Sequence, residues 1–141
     1  MSVREATAAD IAAMHEIRLS VRENVLSDPQ KVLPVHYHRY LGSTGKSWVY
    51  VVKEQVVGFA AADSESGNIW ALFVHPGFER QGIGRQLHDT MMNWLFGAGC
   101  NRAWLTTQQN TRADFFYHQA GWQAVDSMAD GDILYEMRRD T

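Results

Sequence analysis

The chain has 141 residues, and we expect a single domain over residues 1–141, because this length supports one hydrophobic core but not two. The formal net charge of −3 argues against a dedicated nucleic-acid-binding protein, which would carry a basic stripe. No segment is apolar over the length of a membrane span, and the N-terminus lacks a signal-peptide pattern. Cys100 is the only cysteine and cannot form an intrachain disulfide, so we expect a cytoplasmic protein.

The N-terminal third is predicted to contain one strand, two helices and a loop. Residues 2–6 favour a strand, and residues 7–10 resemble a capping box with aspartate in place of glutamate. Apolar side chains then recur at helical spacing and predict a helix that ends near Arg22. Two prolines indicate a loop over residues 24–34, and a short second helix is predicted over residues 35–41.

The middle of the chain is predicted to form three consecutive strands and one long helix. Residues 48–53, 56–62 and 68–74 are rich in β-branched and aromatic side chains, and short polar turns separate them. The apolar side chains of residues 84–97 recur every three to four positions, and glycines mark the end of the pattern. These patterns predict a helix that packs on a sheet.

The C-terminal third is predicted to alternate strands with one more helix. Residues 103–107 favour a strand and residues 110–120 a helix, and residues 122–126 and 133–137 favour two final strands. The predicted element order is therefore βααβββαβαββ, which places the chain in the α/β (α+β) class.

The most informative motif is Phe78-Glu79-Arg80-Gln81-Gly82-Ile83-Gly84, at the entrance of the long helix. The first turn of a helix presents unpaired N–H groups, the macrodipole adds positive potential, and glycines let the backbone approach a bulky anion. A Walker A loop would need Gly-Lys-Ser/Thr, and a dinucleotide fingerprint would need a third glycine where Leu87 stands. The motif therefore predicts a phosphate or pyrophosphate site of another kind.

This motif resembles the acyl-CoA pyrophosphate loop of the GNAT N-acetyltransferase superfamily, Gln/Arg-x-x-Gly-x-Gly/Ala, with Glu79 at the Gln/Arg position. Residues 110–122 resemble the second signature of the superfamily, Asn-x-x-Ala-x-x-x-Tyr-x-x-x-Gly-Phe/Trp. Its five marked positions are filled by Asn110, Ala113, Tyr117, Gly121 and Trp122. With two signatures in the right order and at the right distance, the chain is identified as a member of the superfamily.

The resemblance implies the GNAT fold, a mixed central β-sheet of six to seven strands flanked by about four helices. It also implies an acetyl-CoA-dependent N-acetyltransferase, with acetyl-CoA as co-substrate and a primary amine of a small molecule or peptide as acceptor. In this family the pantetheine arm lies in a gap between two splayed strands, here residues 69–74 and 103–107. The expected cofactor-binding residues are Phe73, Val74, His75, Arg80, Gln81, Gly82, Ile83, Gly84, Arg85, Asn110 and Tyr117.

Direct attack on the thioester needs a deprotonated amine, a polarised carbonyl and an acid near the departing sulfur. The resemblance implies backbone N–H groups of residues 73–75 as the polarising donors and Tyr117 as the general acid. Many family members use a glutamate base on the strand before the loop, but residues 70–74 contain no carboxylate. His75 is one candidate catalytic base, although a His-Pro pair at a turn more often serves structure, and a water chain or an already neutral amine is an equal contender.

The loop after the first helix walls the acceptor pocket in the family, and its polar candidates for substrate binding are Arg22, Glu23, Asn24 and Asp28. Glu23 and Asp28 would suit a cationic amine, whereas Arg22 would suit an amine that bears a carboxylate. An ordinary polar loop is equally consistent with each residue taken singly. No metal is expected, because the pair His36-x-His38 lacks a third ligand at a suitable spacing.

Two alternatives to an N-acetyltransferase stay open at this point. The same fold could use a longer acyl-CoA, and it could be a non-catalytic acyl-CoA-binding or sensing module, which the carboxylate-free strand favours. Neither nucleic acid nor a membrane is an expected partner. Dimerisation is common in the fold, so a homodimer is one expected arrangement, although no stretch of the chain identifies an interface.

Overall fold

The computed structural model describes residues 2–139, and within them it contains seven β-strands and three α-helices. The α/β class is confirmed. The elements in chain order are β1 (Ser2–Glu5), α1 (Ile11–Ser20), β2 (Gly45–Val52), β3 (Gln55–Asp63), β4 (Ile69–Val74), α2 (Ile83–Gly97), β5 (Arg102–Thr107), α3 (Arg112–Gln119), β6 (Gln123–Ser127) and β7 (Ile133–Arg138).

The strands form two antiparallel sheets side by side. The first has the order β1-β2-β3-β4 and the second the order β5-β7-β6. Within the described residues, one parallel bridge between Asn68 and Trp104 links the two sheets. The parallel pairing that makes the combined sheet mixed therefore lies between β4 and β5. The functional cleft described below lies between these two strands.

The predicted second helix is a 3₁₀-helix, Pro34–Tyr40, rather than an α-helix. Residues three positions apart lie above one another in a 3₁₀-helix, and Tyr37 and Tyr40 are both buried at that spacing. The N–H of Leu33 donates to His36 Nδ1 at 3.0 Å, so His36 caps this segment. The segment is short because Pro34 fixes its start and the next strand follows closely.

Helices cover both faces of the first sheet. In β3, Phe59 and Ala61 pack with α1, whereas Ala60 and Ala62 face α2 on the other side, as expected from the two-residue period of a strand. The run of small side chains lets both helices approach closely. Helix α2 contributes Leu87, Met91 and Leu95, which are fully buried. No helix in the described part of the chain has both the length and the apolar composition to cross a bilayer.

Candidate active site

Strands β4 and β5 touch at one end and separate at the other. Next to the Asn68–Trp104 bridge, the Trp104 N–H donates to the carbonyl of Gly67 at 2.9 Å. A Cβ at position 67 would lie 2.0 Å from the carbonyl oxygen of Arg102, so only glycine allows this approach. The two strand edges therefore begin in contact and open into a cleft.

A bulge in β4 directs this strand away from β5. The register pairs Ala61 of β3 with Ala71 of β4. The next pair joins Ala62 to Ile69, which leaves Trp70 as an extra residue. A bulge bends its strand and increases the local twist. The bend at Trp70 therefore accounts for the separation of the two strands just after their bridge.

The cleft has a volume of about 320 Å³. Strand β4, α1 and the loop after α1 form one wall, and β5, α3 and the loop before β7 form the other. Of the described residues that line it, Arg18 and Asp132 carry a charge at neutral pH.

The backbone of β4 presents unpaired groups to this cleft. The His75 N–H donates to the Val57 carbonyl at 2.8 Å, and Phe73 is paired with Phe59. Because alternate residues of an antiparallel strand face the partner strand, the N–H of Val74 points away from β3, on the edge that faces β5. The N–H groups of Phe73 and His75 are turned to β3, so among the expected polarising donors of residues 73–75 the register leaves Val74.

The start of α2 presents N–H groups that have no protein acceptor. Gly82 is the N-cap in the left-handed region, with φ 79°, and no side chain caps the helix. Gln86 makes the first helical bond, to the Gly82 carbonyl at 3.1 Å, so among residues 2–139 the N–H groups of Ile83, Gly84 and Arg85 have no acceptor. A Cβ at Gly82 would meet nothing within 4 Å. This end of the helix is open to an anion.

The side chains of the same loop do not crowd that opening. Arg85 binds Asp89 one turn further along α2 at 3.2 Å, which leaves its backbone N–H at the helix entrance. Arg80 has φ 64°, so the chain turns there and the next N–H groups can point to one side, as in an anion-binding nest. The loop suits an anion held by backbone groups.

Glu79, which departs from the family pattern, is neutralised by a residue of the second signature. Its carboxylate forms an ion pair with the Arg112 guanidinium at the first turn of α3. The Arg112 N–H in turn donates to Glu23 Oε1 at 2.9 Å. These contacts tie the glycine loop, α3 and the loop after α1 together around the cleft.

Tyr117 lies on the inner face of α3 and lines the cleft beside Leu105 and Thr107. Its side chain is 6% exposed and packs against the rings of Trp122 and Tyr135. The hydroxyl has no hydrogen-bond partner among residues 2–139, and burial raises the pKa of Tyr117 above its ordinary value. The side chain is therefore buried, while its protonated hydroxyl has no partner in the described chain and reaches the cleft, where it is available to a ligand.

Asn110 turns the chain before α3 but does not cap this helix. It has φ 60°, and its N–H donates to Asp114 Oδ2 at 2.9 Å. The cap is Thr111, whose Oγ1 accepts the Asp114 N–H at 3.2 Å. The helix thus begins at Arg112 rather than at residue 110 as predicted, because the left-handed backbone of Asn110 leaves Thr111 as the extended residue before the helix. The Asn110 side chain is exposed.

His75 serves the turn after β4. Its Nδ1 accepts the Gly77 N–H at 3.0 Å and thereby caps the 3₁₀ turn Pro76–Phe78. His75 is not among the residues that line the cleft. This geometry gives a structural reason for the His-Pro pair and offers no support for His75 as a base.

The four predicted acceptor-binding residues have different positions. Asn24 lines the cleft, and its Oδ1 accepts the Gln108 N–H at 3.0 Å, which holds the loop to the end of β5. Glu23 caps α3 as described above, and Asp28 accepts the Gln30 N–H at 2.9 Å to start a 3₁₀ turn. Arg22 is exposed. Of the four, the structure brings Asn24 alone into the cleft wall.

The titratable residues that line the cleft and were not predicted from the sequence include Arg18, Tyr37 and Asp132. A lone arginine four positions after Met14 on the apolar face of α1 is a signal that could have identified Arg18. Burial raises the pKa of Tyr37 to about 12 and lowers the pKa of Arg18. Burial, and then the nearby Asp130, raise the pKa of Asp132. Asp132 has no local signal, because only the β6–β7 connection brings it to the cleft.

Comparison with protein families identifies one match, to the acetyltransferase (GNAT) family over residues 11–122. This range includes both signatures, the whole of β4 and β5, and α1. A search of the curated proteins finds no match.

Solved structures with the same fold include proteins that carry coenzyme A or acetyl-CoA. The protein yncA from Salmonella typhimurium, solved with its cofactor acetyl-CoA, superposes with a TM-score of 0.83 at 19% identity over 100% of this chain and 95% of that one. PaiA N-acetyltransferase from Thermoplasma acidophilum in complex with coenzyme A gives 0.80 at 14% identity, over 98% of each chain. The ribosomal-protein-S18-alanine N-acetyltransferase from Escherichia coli gives 0.79 at 17% identity, over 97% of this chain and 92% of that one.

Proposed function

The chain belongs to the acetyltransferase (GNAT) family, and from this membership we propose that it transfers the acetyl group of acetyl-CoA to a primary amine of a small molecule or peptide by direct attack. One arrangement carries the proposal. The open N-terminus of α2 follows the end of β4 that lies away from the Asn68–Trp104 bridge, and Tyr117, whose hydroxyl has no partner among residues 2–139, lines the cleft between β4 and β5.

The residues at the start of α2 fit the pyrophosphate of acetyl-CoA. Ile83, Gly84 and Arg85 offer backbone N–H groups that lack acceptors, and the helix dipole adds favourable potential. The open space at Gly82 lets an anion approach the backbone. We assign Arg80 and Gln81 to the rim of the same site and the exposed Asn110 to the pantetheine arm.

Acetyl-CoA supplies an activated acyl carbonyl, and we assign its polarisation to the backbone of β4. The donor in this proposal is the N–H of Val74, which the strand register turns away from β3. A fixed donor aimed at the oxygen stabilises the negative charge that develops during attack. The Phe73 side chain forms the neighbouring wall.

Tyr117 stabilises the departing sulfur. A thiol has an ordinary pKa of about 8.5 and a tyrosine of about 10. Burial raises the pKa of Tyr117 further, so the hydroxyl is protonated at neutral pH and donates a hydrogen bond to the thiolate. Complete transfer of the proton to the thiolate would be uphill, and the donated hydrogen bond is therefore the larger part of its role as general acid.

Asp132 is the carboxylate that the cleft offers as a base. It lies on the wall opposite β4. Strand β4 itself has no acidic side chain. Its raised pKa makes it a better proton acceptor than an ordinary aspartate, and it accepts a proton from the attacking amine directly or through water. We place Asp132 ahead of His75, whose Nδ1 is bonded within its own turn.

The proposal is tested by acetyl-CoA-dependent thiol release with polyamines, amino acids, aminoglycosides and peptides as acceptors. We expect acetyl-CoA to raise the melting temperature and at least one acceptor class to give turnover. A rise in melting temperature without turnover on any acceptor would support the non-catalytic sensing module instead. No rise in melting temperature with acetyl-CoA, coenzyme A or a longer acyl-CoA would refute acyl-CoA binding itself.

A further inference from the structure

Arg18 is a cation on the inner side of α1, and it lines the cleft beside strand β4. Its neighbours on the helix, Met14 and Ile17, are fully or almost fully buried. Its guanidinium carbon lies 4.4 Å from the centroid of the Phe73 ring, and the side chain borders the cleft together with Trp70. The ring holds the guanidinium plane at the cleft wall.

The donors of this guanidinium have no acceptor among residues 2–139. Arg18 Nη1 is shielded from water and bonded to no atom of the described chain. The nearest candidate, the Tyr37 hydroxyl, interacts with His15 Nδ1 at 3.1 Å. Asp132, the other charged residue of the cleft, belongs to the opposite wall and forms no ion pair with Arg18 within the described structure. Buried guanidinium groups are rarely left unpaired, because an unsatisfied charged donor is costly.

We propose that Arg18 binds a carboxylate of the acceptor, which is a small amine of amino-acid size. The proposal rests on the acetyl-transfer function, since it assigns the acceptor of that reaction. A planar guanidinium matches a carboxylate with two parallel hydrogen bonds, and the fixed stacking on Phe73 retains that geometry. The carboxylate supplies the acceptors that Arg18 lacks.

The size and lining of the cleft favour a small acceptor with an apolar side chain. A volume of about 320 Å³ must hold the pantetheine end as well, which excludes a folded protein surface from the cleft itself. Tyr37, Trp70 and Phe73 form an aromatic wall beside Arg18, and this wall suits an apolar side chain. A polyamine would place a second cation near Arg18 and is disfavoured.

The test measures binding of N-acetyl amino acids to the coenzyme A-saturated protein by isothermal titration calorimetry. N-acetyl amino acids with aromatic, aliphatic, polar and acidic side chains are each compared with the compound in which the α-carboxylate is replaced by a carboxamide. The N-acetyl compounds resemble the product and carry no titratable amine, so the carboxylate is the one difference within each pair. We expect at least one acid to bind about tenfold or more tightly than its amide, in line with hydrogen bonds to a charged group.

Variants assign that preference to one side chain. Arg18→Gln should remove the acid preference and leave amide binding unchanged, and Arg18→Lys should retain part of it. The matched control is Arg138→Gln, which removes the same charge from an exposed side chain paired with Glu136. Equal binding of every acid and its amide, or a preference that survives in Arg18→Gln, would overturn the inference.

Turnover on the same amino acids separates this inference from the proposed function. An acid preference that depends on Arg18 without any acetyl transfer would leave the carboxylate site intact and refute the transferase. Transfer to amines with no dependence on Arg18 would leave the transferase intact and refute the carboxylate site.

Discussion

Replacement of Tyr117 by phenylalanine should slow the reaction without destabilising the protein. The hydroxyl has no partner among residues 2–139, so its removal breaks no protein hydrogen bond, and it reaches the cleft, where water can satisfy it. The free energy of unfolding should therefore change by less than about 1 kcal/mol. Loss of a fixed donor to a developing anion lowers turnover about 10²- to 10³-fold, equivalent to about 2.7–4 kcal/mol.

Tyr135 provides the matched control for this prediction. Its ring lies 6.1 Å from that of Tyr117 and is buried to a similar degree, but its hydroxyl donates to the Asp114 side chain and to the Asp114 carbonyl at 3.3 Å. Tyr135→Phe removes these bonds, one of which is to a half-buried carboxylate, so we expect a loss of about 1–3 kcal/mol in unfolding free energy. Turnover per folded molecule should stay close to that of the wild-type protein.

Urea denaturation gives the unfolding free energies, calorimetry the acetyl-CoA affinity, and thiol release the turnover number. The two variants should move stability and turnover in opposite patterns, with acetyl-CoA affinity retained in both. A Tyr117→Phe enzyme with wild-type turnover would remove the hydroxyl from the mechanism. A Tyr117→Phe protein that loses stability as Tyr135→Phe does would show that the hydroxyl has a structural partner.

Further predictions concern the base and the glycine loop. Asp132→Asn should lower turnover and remove the acid limb of the pH–rate profile. Because folding raises the pKa of Asp132, this carboxyl stabilises the fold at pH values below its ordinary pKa and loses that contribution as the pH rises. The variant should therefore be at least as stable as the wild-type protein at pH 7, as measured by urea denaturation. A profile with an unchanged acid limb would exclude Asp132. Glu79→Gln should raise coenzyme A affinity several-fold by removing a negative charge near the phosphates, and Arg112→Gln, which leaves Glu79 unpaired, should lower it. Calorimetry of coenzyme A binding at low and high salt checks both variants, because salt screening should reduce each change in affinity. Equal affinities in the wild-type protein and the two variants would contradict the electrostatic role of this ion pair.

The sequence was sufficient to predict the fold class, and the glycine loop at the start of α2 and the helix that carries Tyr117 lie where the sequence predicted them. The glycine loop and the Tyr117 segment are local motifs, because the residues that determine their structure are close to them in the sequence. Apolar residues that recur every two positions or every three to four positions predicted most strands and helices, because these patterns are also local in the sequence. The 3₁₀ geometry of Pro34–Tyr40 was missed because both helix types bury residues three apart.

The acceptor side of the cleft could not be predicted in the same way. Glu23 and Asp28 looked like ligands, but they accept hydrogen bonds from backbone groups of α3 and a short turn. Arg18 and Asp132 are far apart in sequence and come to one cleft only when both sheets have formed. Polar residues in loops have many possible roles, and the choice among them depends on contacts between distant segments.

The single bridge between the sheets has a consequence for the behaviour of the protein without ligand. Strands β4 and β5 are two sheet edges inside one molecule, and an exposed edge normally invites pairing with another chain. Here the two edges lie next to each other within one molecule, joined at the Asn68–Trp104 bridge. The amides of Leu72 and Val74 should therefore exchange with solvent deuterium faster than those of Phe73 and His75 in the free protein. A bound pantetheine arm would slow that exchange and thereby act as the strand that joins the two halves.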